Sequence, residues 1–208
     1  ETDDNVAYFF QMKREYDEAI HMYERTRTAF REWGDPCHIA LCDLDQSEAH
    51  LDLQQVEEAE VLARRALEGL EDLGIGQEAG RALIHLAIVA GSQGRVADSQ
   101  QLLDRARGTF RDCGDPVWRR LTEVYCALVY ELGGQSERAL ETARAARAAT
   151  ADDPTGARRA LFETLVACLE ARRSGVESAA AASRRAPGGG AGVAGPREST
   201  KRGTTRKT

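Results

Sequence analysis

Apolar and small residues recur along this chain at helical spacing, in runs broken by short polar or glycine-bearing turns. Residues 79–91 carry Leu83, Leu86, Ala87 and Ala90 on one helical face. Gln93-Gly94-Arg95 interrupts the run, and residues 96–111 then carry Val96, Ser99, Leu102, Leu103, Ala106 and Phe110 on another. Gly114-Asp115-Pro116 stops that helix and starts the next, as Gly34-Asp35-Pro36 does earlier. Leu73-Gly74 and Asp152-Asp153-Pro154 mark the other two breaks. The pattern predicts paired helices throughout.

The pairs keep register. Ala19, Ala59, Ser99, Ala139 and Ala179 stand 40 residues apart, each near the start of an amphipathic run. Twelve residues upstream of each is another small residue: Ala7, Ser47, Ala87, Ala127 and Ala167. Three residues upstream stand Tyr16, Val56, Val96, Ser136 and Val176. A repeat of this length predicts a stacked array rather than a compact enzyme domain. Small residues at both positions let the two helices of a hairpin cross closely while larger neighbours interlock around them.

These residues resemble the tetratricopeptide repeat family. Leu83, Leu86, Ala87, Gly94, Val96, Ser99, Leu103 and Ala106 follow its order of large, small and glycine positions. Ala127, Gly134, Ala139, Ala143 and Ala146 do so in the next unit, and Val6, Ala7, Phe10, Tyr16, Ala19 and Tyr23 in the first. The family's usual unit is shorter than the one here. The longer unit, and the stretch from Ala40 to Glu48, resemble repeats of bacterial signalling proteins that precede a caspase-like CHAT domain. The resemblance implies an all-α, right-handed α-solenoid of about five antiparallel helical hairpins. The expected units are 1–36, 37–77, 78–116, 117–154 and 155–186, followed by a disordered tail over 187–208.

Composition agrees with an all-α chain: only 6% of residues are aromatic, and no alternating β-branched run is long enough for a sheet. No run of apolar residues is long enough to span a membrane, and no secretory signal opens the chain. The sequence starts at Glu1 without Met, which reads as a piece of a longer protein. Five cysteines without CxxC or metal-ligand spacing point to a reducing, cytoplasmic setting with no metal and no cofactor. The tail holds five basic residues and one acidic, a net of +4 against −6 for the chain, which leaves about −10 on the helical part. That charge disfavours nucleic acid as the main partner. The tail itself reads first as an unstructured end and second as a basic contact for an acidic surface.

Catalytic chemistry finds little support. Cys42 and His38 stand four residues apart on one helical face, but nothing supplies a third group or an oxyanion hole. No metalloprotease, P-loop or dinucleotide motif occurs. The chain is expected not to be an enzyme.

By the family's geometry the first helix of each hairpin lines a concave face. The lining would include Leu41, Leu44, Glu48, Leu51 and Asp52; then Arg81, Ile84, Ile88 and Ser92; then Leu121, Val124, Leu128 and Glu131. Apolar anchors beside acids suit an amphipathic helix or an extended peptide with basic flanks. The competing arrangement turns these residues into packing between repeats. A polar stripe of Asp43, Gln46, Ser47 and His50 occupies the face that should meet the second helix. Asp43 there needs a partner, which Arg64 or Arg65 could provide, or serves recognition. The expected function is protein–protein interaction, as a scaffold or sensor arm taking a protein or peptide. The alternatives are the regulatory arm of a CHAT-type protease whose catalytic domain lies elsewhere, and the effector-sensing arm of a transcription regulator. Uncapped terminal repeats would also permit self-association.

Overall fold

The computed structural model describes residues 2–150 and 157–185. Those residues are helical apart from short turns: α1 (Thr2–Met12), α2 (Tyr16–Trp33), α3 (Pro36–Asp52), α4 (Val56–Asp72), α5 (Gly76–Ser92), α6 (Val96–Asp112), α7 (Pro116–Leu132), α8 (Ser136–Ala148) and α9 (Ala157–Arg185). Helices α1 to α8 form four hairpins stacked in chain order, an α-solenoid in which the first helix of each hairpin also meets the first helix of the next. One core cluster runs from α3 to α9, and a smaller one of Ala7, Ala19 and Tyr23 joins α1 to α2.

The turns explain the regularity. Arg14, Gly34, Gln54, Gly74, Gly94, Gly114 and Gly134 all take positive φ, between 58° and 75°. They recur evenly, at half the spacing of the sequence repeat. At Gly74 the backbone N–H donates to Glu71 O at 3.0 Å and the next N–H, of Ile75, donates to Leu70 O at 2.9 Å. The Ile75 carbonyl then accepts from Ala79 N at 3.1 Å, so one residue closes α4 and opens α5. The same pattern recurs at the other six turns. Asp35 and Asp115 reinforce it by capping the amides of His38 and Trp118, ahead of Pro36 and Pro116.

The small residues meet where expected. Ala7, Ala19, Ser47, Ala59, Ala87, Ser99, Ala127 and Ala139 are all buried. Ser99 Oγ donates to the Ala87 carbonyl at 2.6 Å, which ties the two small positions of one hairpin directly together. At the other end of the same hairpin Gly80 has a comparable role: a Cβ there would meet Phe110 Cζ at 2.5 Å. The Phe110 ring stacks on Trp118 with centroids 5.8 Å apart.

The fifth unit differs from the expected hairpin. Helix α9 runs unbroken for 29 residues through Gly175. Ser174 holds the next described position of the turn series, in place of a turn-forming glycine, and Gly175 comes one residue late. The alanines that follow favour continued helix. Ala167, the small residue that would have met a second helix, is exposed. The first compact unit spans Glu1–Arg173 and the second Ser174–Thr208. The break expected at Asp152-Asp153-Pro154 and the tail over 187–208 lie outside the described residues.

The turn geometry predicts two opposite effects. A Cβ on Gly94 meets nothing within 4 Å, so Gly94→Ala costs only its left-handed backbone, about 1–2 kcal/mol. Gln54 bears that strain already, and Gln54→Gly should stabilise by about 0.5–1 kcal/mol. Urea denaturation of both variants checks the signs; a stabilising Gly94→Ala contradicts the account.

Candidate functional site

Position along the repeat decides which face a first-helix residue takes. Residues 8, 48, 88 and 128 hold one position, and 12, 52, 92 and 132 another, one turn on. Tyr8, Met12, Asp52, Ser92, Leu128 and Leu132 are exposed, while Glu48 and Ile88 are half-buried. The rows form one continuous face over α1, α3, α5 and α7.

Two adjoining hollows lie on this face. One, of about 150 Å³, is lined by Glu48, Leu51, Asp52, Arg81, Ile84, His85, Ile88, Trp118 and Tyr125. The other, of about 300 Å³, is lined by apolar groups of Ala87, Ile88, Leu103, Tyr125, Leu128, Val129 and Leu132, with Gly91 and Ser92. Ile88 and Tyr125 border both. Arg81 crosses the first: it meets Asp45 at 3.3 Å and Glu48 at 3.2 Å, and its guanidinium lies 5.7 Å from the Trp118 ring centroid.

Of the thirteen expected lining residues, the two hollows bring together Glu48, Leu51, Asp52, Arg81, Ile84, Ile88, Ser92 and Leu128. Leu44 is a correction: it is fully buried in the core, because its position points between hairpins. Leu41 and Val124 pack against that core, Leu121 is half-buried, and Glu131 faces Arg172 of α9 at 3.6 Å. His85, Trp118, Tyr125 and Leu132 were missed, as were Tyr8 and Met12. Stepping one repeat back from Glu48 and Asp52 would have found the last two.

The polar stripe divides among separate partners. Asp43 is buried and clamped by Arg27 Nε at 2.8 Å and Arg65 Nη2 at 2.6 Å, while Arg64 turns to Glu60. Burial pushes the Asp43 carboxyl up to about 6, against the downward pull of Arg27 and Arg31. The same arrangement recurs two hairpins on, where Arg107 Nε meets Glu123 at 3.0 Å. In the junction between them Leu67 and Leu83 stand at these positions, both in the core. Gln46 is buried beside Arg27 and Arg65, and His50 Nδ1 pairs with Gln55 Oε1 at 2.6 Å.

Ser47 links two hairpins. Its Oγ lies 2.6 Å from Leu44 O and 2.7 Å from His85 Nδ1. The single hydroxyl proton serves the carbonyl, so Nδ1–H donates to Ser47 and Nε2 carries the lone pair. Burial, helped by Arg81, lowers His85 to about 3, and the ring stays neutral.

His38 Nδ1 lies 2.7 Å from Asp35 Oδ2 and its ring stacks on Phe30, while Cys42 is buried. Among the described residues no cluster of His, Cys, Asp and Glu could hold a metal ion. No helix among them is long and apolar enough to cross a membrane.

The fold has clear relatives among solved structures. The TPR-like repeats of a kinesin light chain-type protein from Podosopora anserina superpose with a TM-score of 0.67 at 15% identity, over 88% of this chain and 90% of that one. A single-substitution form of that protein gives 0.68 at 15% identity, over 88% and 91%. The apo form of RapI gives 0.73 at 16% identity, over 88% of this chain and 68% of that one. The chain therefore has the fold of TPR-like helical repeats. No family model matches the sequence, and no curated protein does.

The buried groups predict two outcomes. Asp43→Leu leaves Arg27 and Arg65 facing an apolar side chain that accepts no hydrogen bond and should cost about 3 kcal/mol, with face-dependent binding intact; unchanged melting contradicts the clamp. The unfolded His85 takes up a proton near pH 6.5 and the folded one only near 3, so stability falls as pH drops through that window. Asp43, raised by burial, acts in the opposite sense between about 6 and 3.8. Comparing melting of the parent and His85→Asn against pH isolates the histidine. The variant should lose the acid sensitivity that begins near 6.5, worth about 1.4 kcal/mol per pH unit.

Proposed function

We propose that this chain is a protein-interaction module that takes an amphipathic helix or extended peptide along the face of α1, α3, α5 and α7. The observation that carries the reading is the apolar hollow of Ile88, Tyr125, Leu128 and Leu132 beside one edged by Glu48 and Asp52. Leu128 and Leu132 are 43% and 63% exposed, a cost that an apolar side chain of a ligand would relieve. The acids exceed the single Arg81, which is already shared between Asp45 and Glu48. A lysine or arginine flanking the anchor completes the charge. Helices locked by the turns hold this face ready, so binding orders little of the receptor. The TPR-like likeness supports an interaction role in general terms. A protease-regulating arm or a sensor arm would use the same face, with its output outside these residues.

A peptide-display selection against the full chain tests the proposal. Enriched sequences should pair large aliphatic side chains with nearby Lys or Arg. Leu128→Asp with Leu132→Asp should weaken them at least about tenfold while changing stability by under about 1 kcal/mol, since neither side chain is buried. Enrichment of acidic peptides, or binding that ignores the double variant, contradicts it.

A further inference from the structure

The fold leaves one buried nitrogen of the smaller hollow without a partner. His85 is 7% exposed and lines that hollow from α5. Its Nδ1 is engaged by Ser47 Oγ at 2.7 Å, across the junction with α3. Nε2 has no hydrogen-bond partner among the described residues, yet it is not sealed from solvent. With Nδ1 turned to Ser47, Nε2 is the nitrogen that meets the hollow. It offers a lone pair there, and burial keeps the ring neutral, so the lone pair persists at neutral pH. An acceptor held this deep without a donor carries a desolvation cost that a donor from a ligand relieves.

The surroundings choose the donor. Glu48, half-buried, and Asp52, exposed, border the hollow nearer the solvent. Arg81, the cation among the lining residues, is shared between Asp45 and Glu48. Three carboxylates therefore stand against one guanidinium, which disfavours an anion and leaves a cation to complete the charge. The walls of Ile84, Ile88 and Tyr125 can cover a chain of methylenes. An ammonium brings three donors on a slim, flexible stem, matching Nε2, Glu48 and Asp52 in number. A guanidinium spreads its donors over a rigid plane, which suits paired carboxylates better than a single buried nitrogen in about 150 Å³.

We propose that the smaller hollow seats one unmodified lysine side chain of the bound peptide, its ammonium donating to His85 Nε2 and to the carboxylates of Glu48 and Asp52. The assignment rests on the interaction role proposed above and adds to it one ligand residue and its chemical state. Ile88 and Tyr125 wall both hollows, so the lysine stem lies beside the aliphatic anchor. Acetylation of the lysine nitrogen removes the charge and leaves a single N–H, so an acetylated partner is refused.

Long-range proton–nitrogen correlation NMR on the full chain with isotope-labelled histidine reads this atom directly. The spectrum of His85→Asn assigns it, since asparagine keeps a donor for Ser47 and removes the lone pair. Nε2 should be unprotonated and should shift saturably with Nα-acetyl-lysine-N-methylamide. The corresponding arginine amide should bind at least about tenfold more weakly, and the Nε-acetylated lysine amide should leave the resonance in place. Asp52→Asn, at an exposed position, should weaken the lysine amide by up to about fivefold. A protonated Nε2, a resonance indifferent to the lysine amide, or equal binding of the arginine amide overturns the proposal. Display-selected peptides separate this failure from failure of the peptide face. Peptides that need Leu128 and Leu132 but bind equally well with every lysine acetylated keep the face and overturn the lysine seat. A lysine-amide response without enriched peptides supports the seat and counts against the face.

Discussion

The rest of the structure depends on how little chain separates one helix from the next. A single left-handed residue followed by a residue that serves two helices leaves no slack. Helices α3 to α7 share one length, and every residue therefore returns to the same face after one full repeat. Close crossings at the small positions, the core between hairpins and the exposed rows of first-helix residues all follow from that constancy. A one-residue insertion would rotate every later helix by about 100° relative to the earlier ones.

The face formed this way is uneven. Its two ends are apolar, with Tyr8 and Met12 at one and Leu128 and Leu132 at the other, and its middle carries Glu48 and Asp52. Arg81, held by two acids and resting against Trp118, stiffens the middle without neutralising it. Beneath it the neutral His85 joins two hairpins through Ser47. The buried Ser47 and His85 partner each other, and such a contact sets the alignment of neighbouring hairpins as well as their attraction.

Much of the fold was legible in the sequence because the repeat spacing and the glycine turns act locally. The small residues at 47, 59, 87 and 99 mark the crossings in the sequence itself. The fifth unit was not legible: Val176 and Ala179 fit the spacing, yet the turn before them lacks a glycine in register and α9 continues. Leu44 misled because periodicity distinguishes a helix's apolar stripe from its polar side but does not say which part of the stripe meets another hairpin. The partner of Asp43 was half legible. Arg65 lies on the paired helix, whereas Arg27 comes from the preceding hairpin, and only the recurrence of Arg107 with Glu123, two repeats later, reveals the rule.

That recurrence bears on how the chain avoids assembling in the wrong order. Hairpins this alike could stack out of sequence, the characteristic error of repetitive chains. The junctions alternate in chemistry: Arg27 with Asp43, Leu67 with Leu83, Arg107 with Glu123. A stack that skipped one hairpin would set Arg27 against Leu83 and Leu67 against Glu123, burying charges without counterparts at several kcal/mol (about 3–5 for a broken buried pair). The mixed junctions thus act as an address code, by which each hairpin accepts its proper neighbour and refuses the next one along.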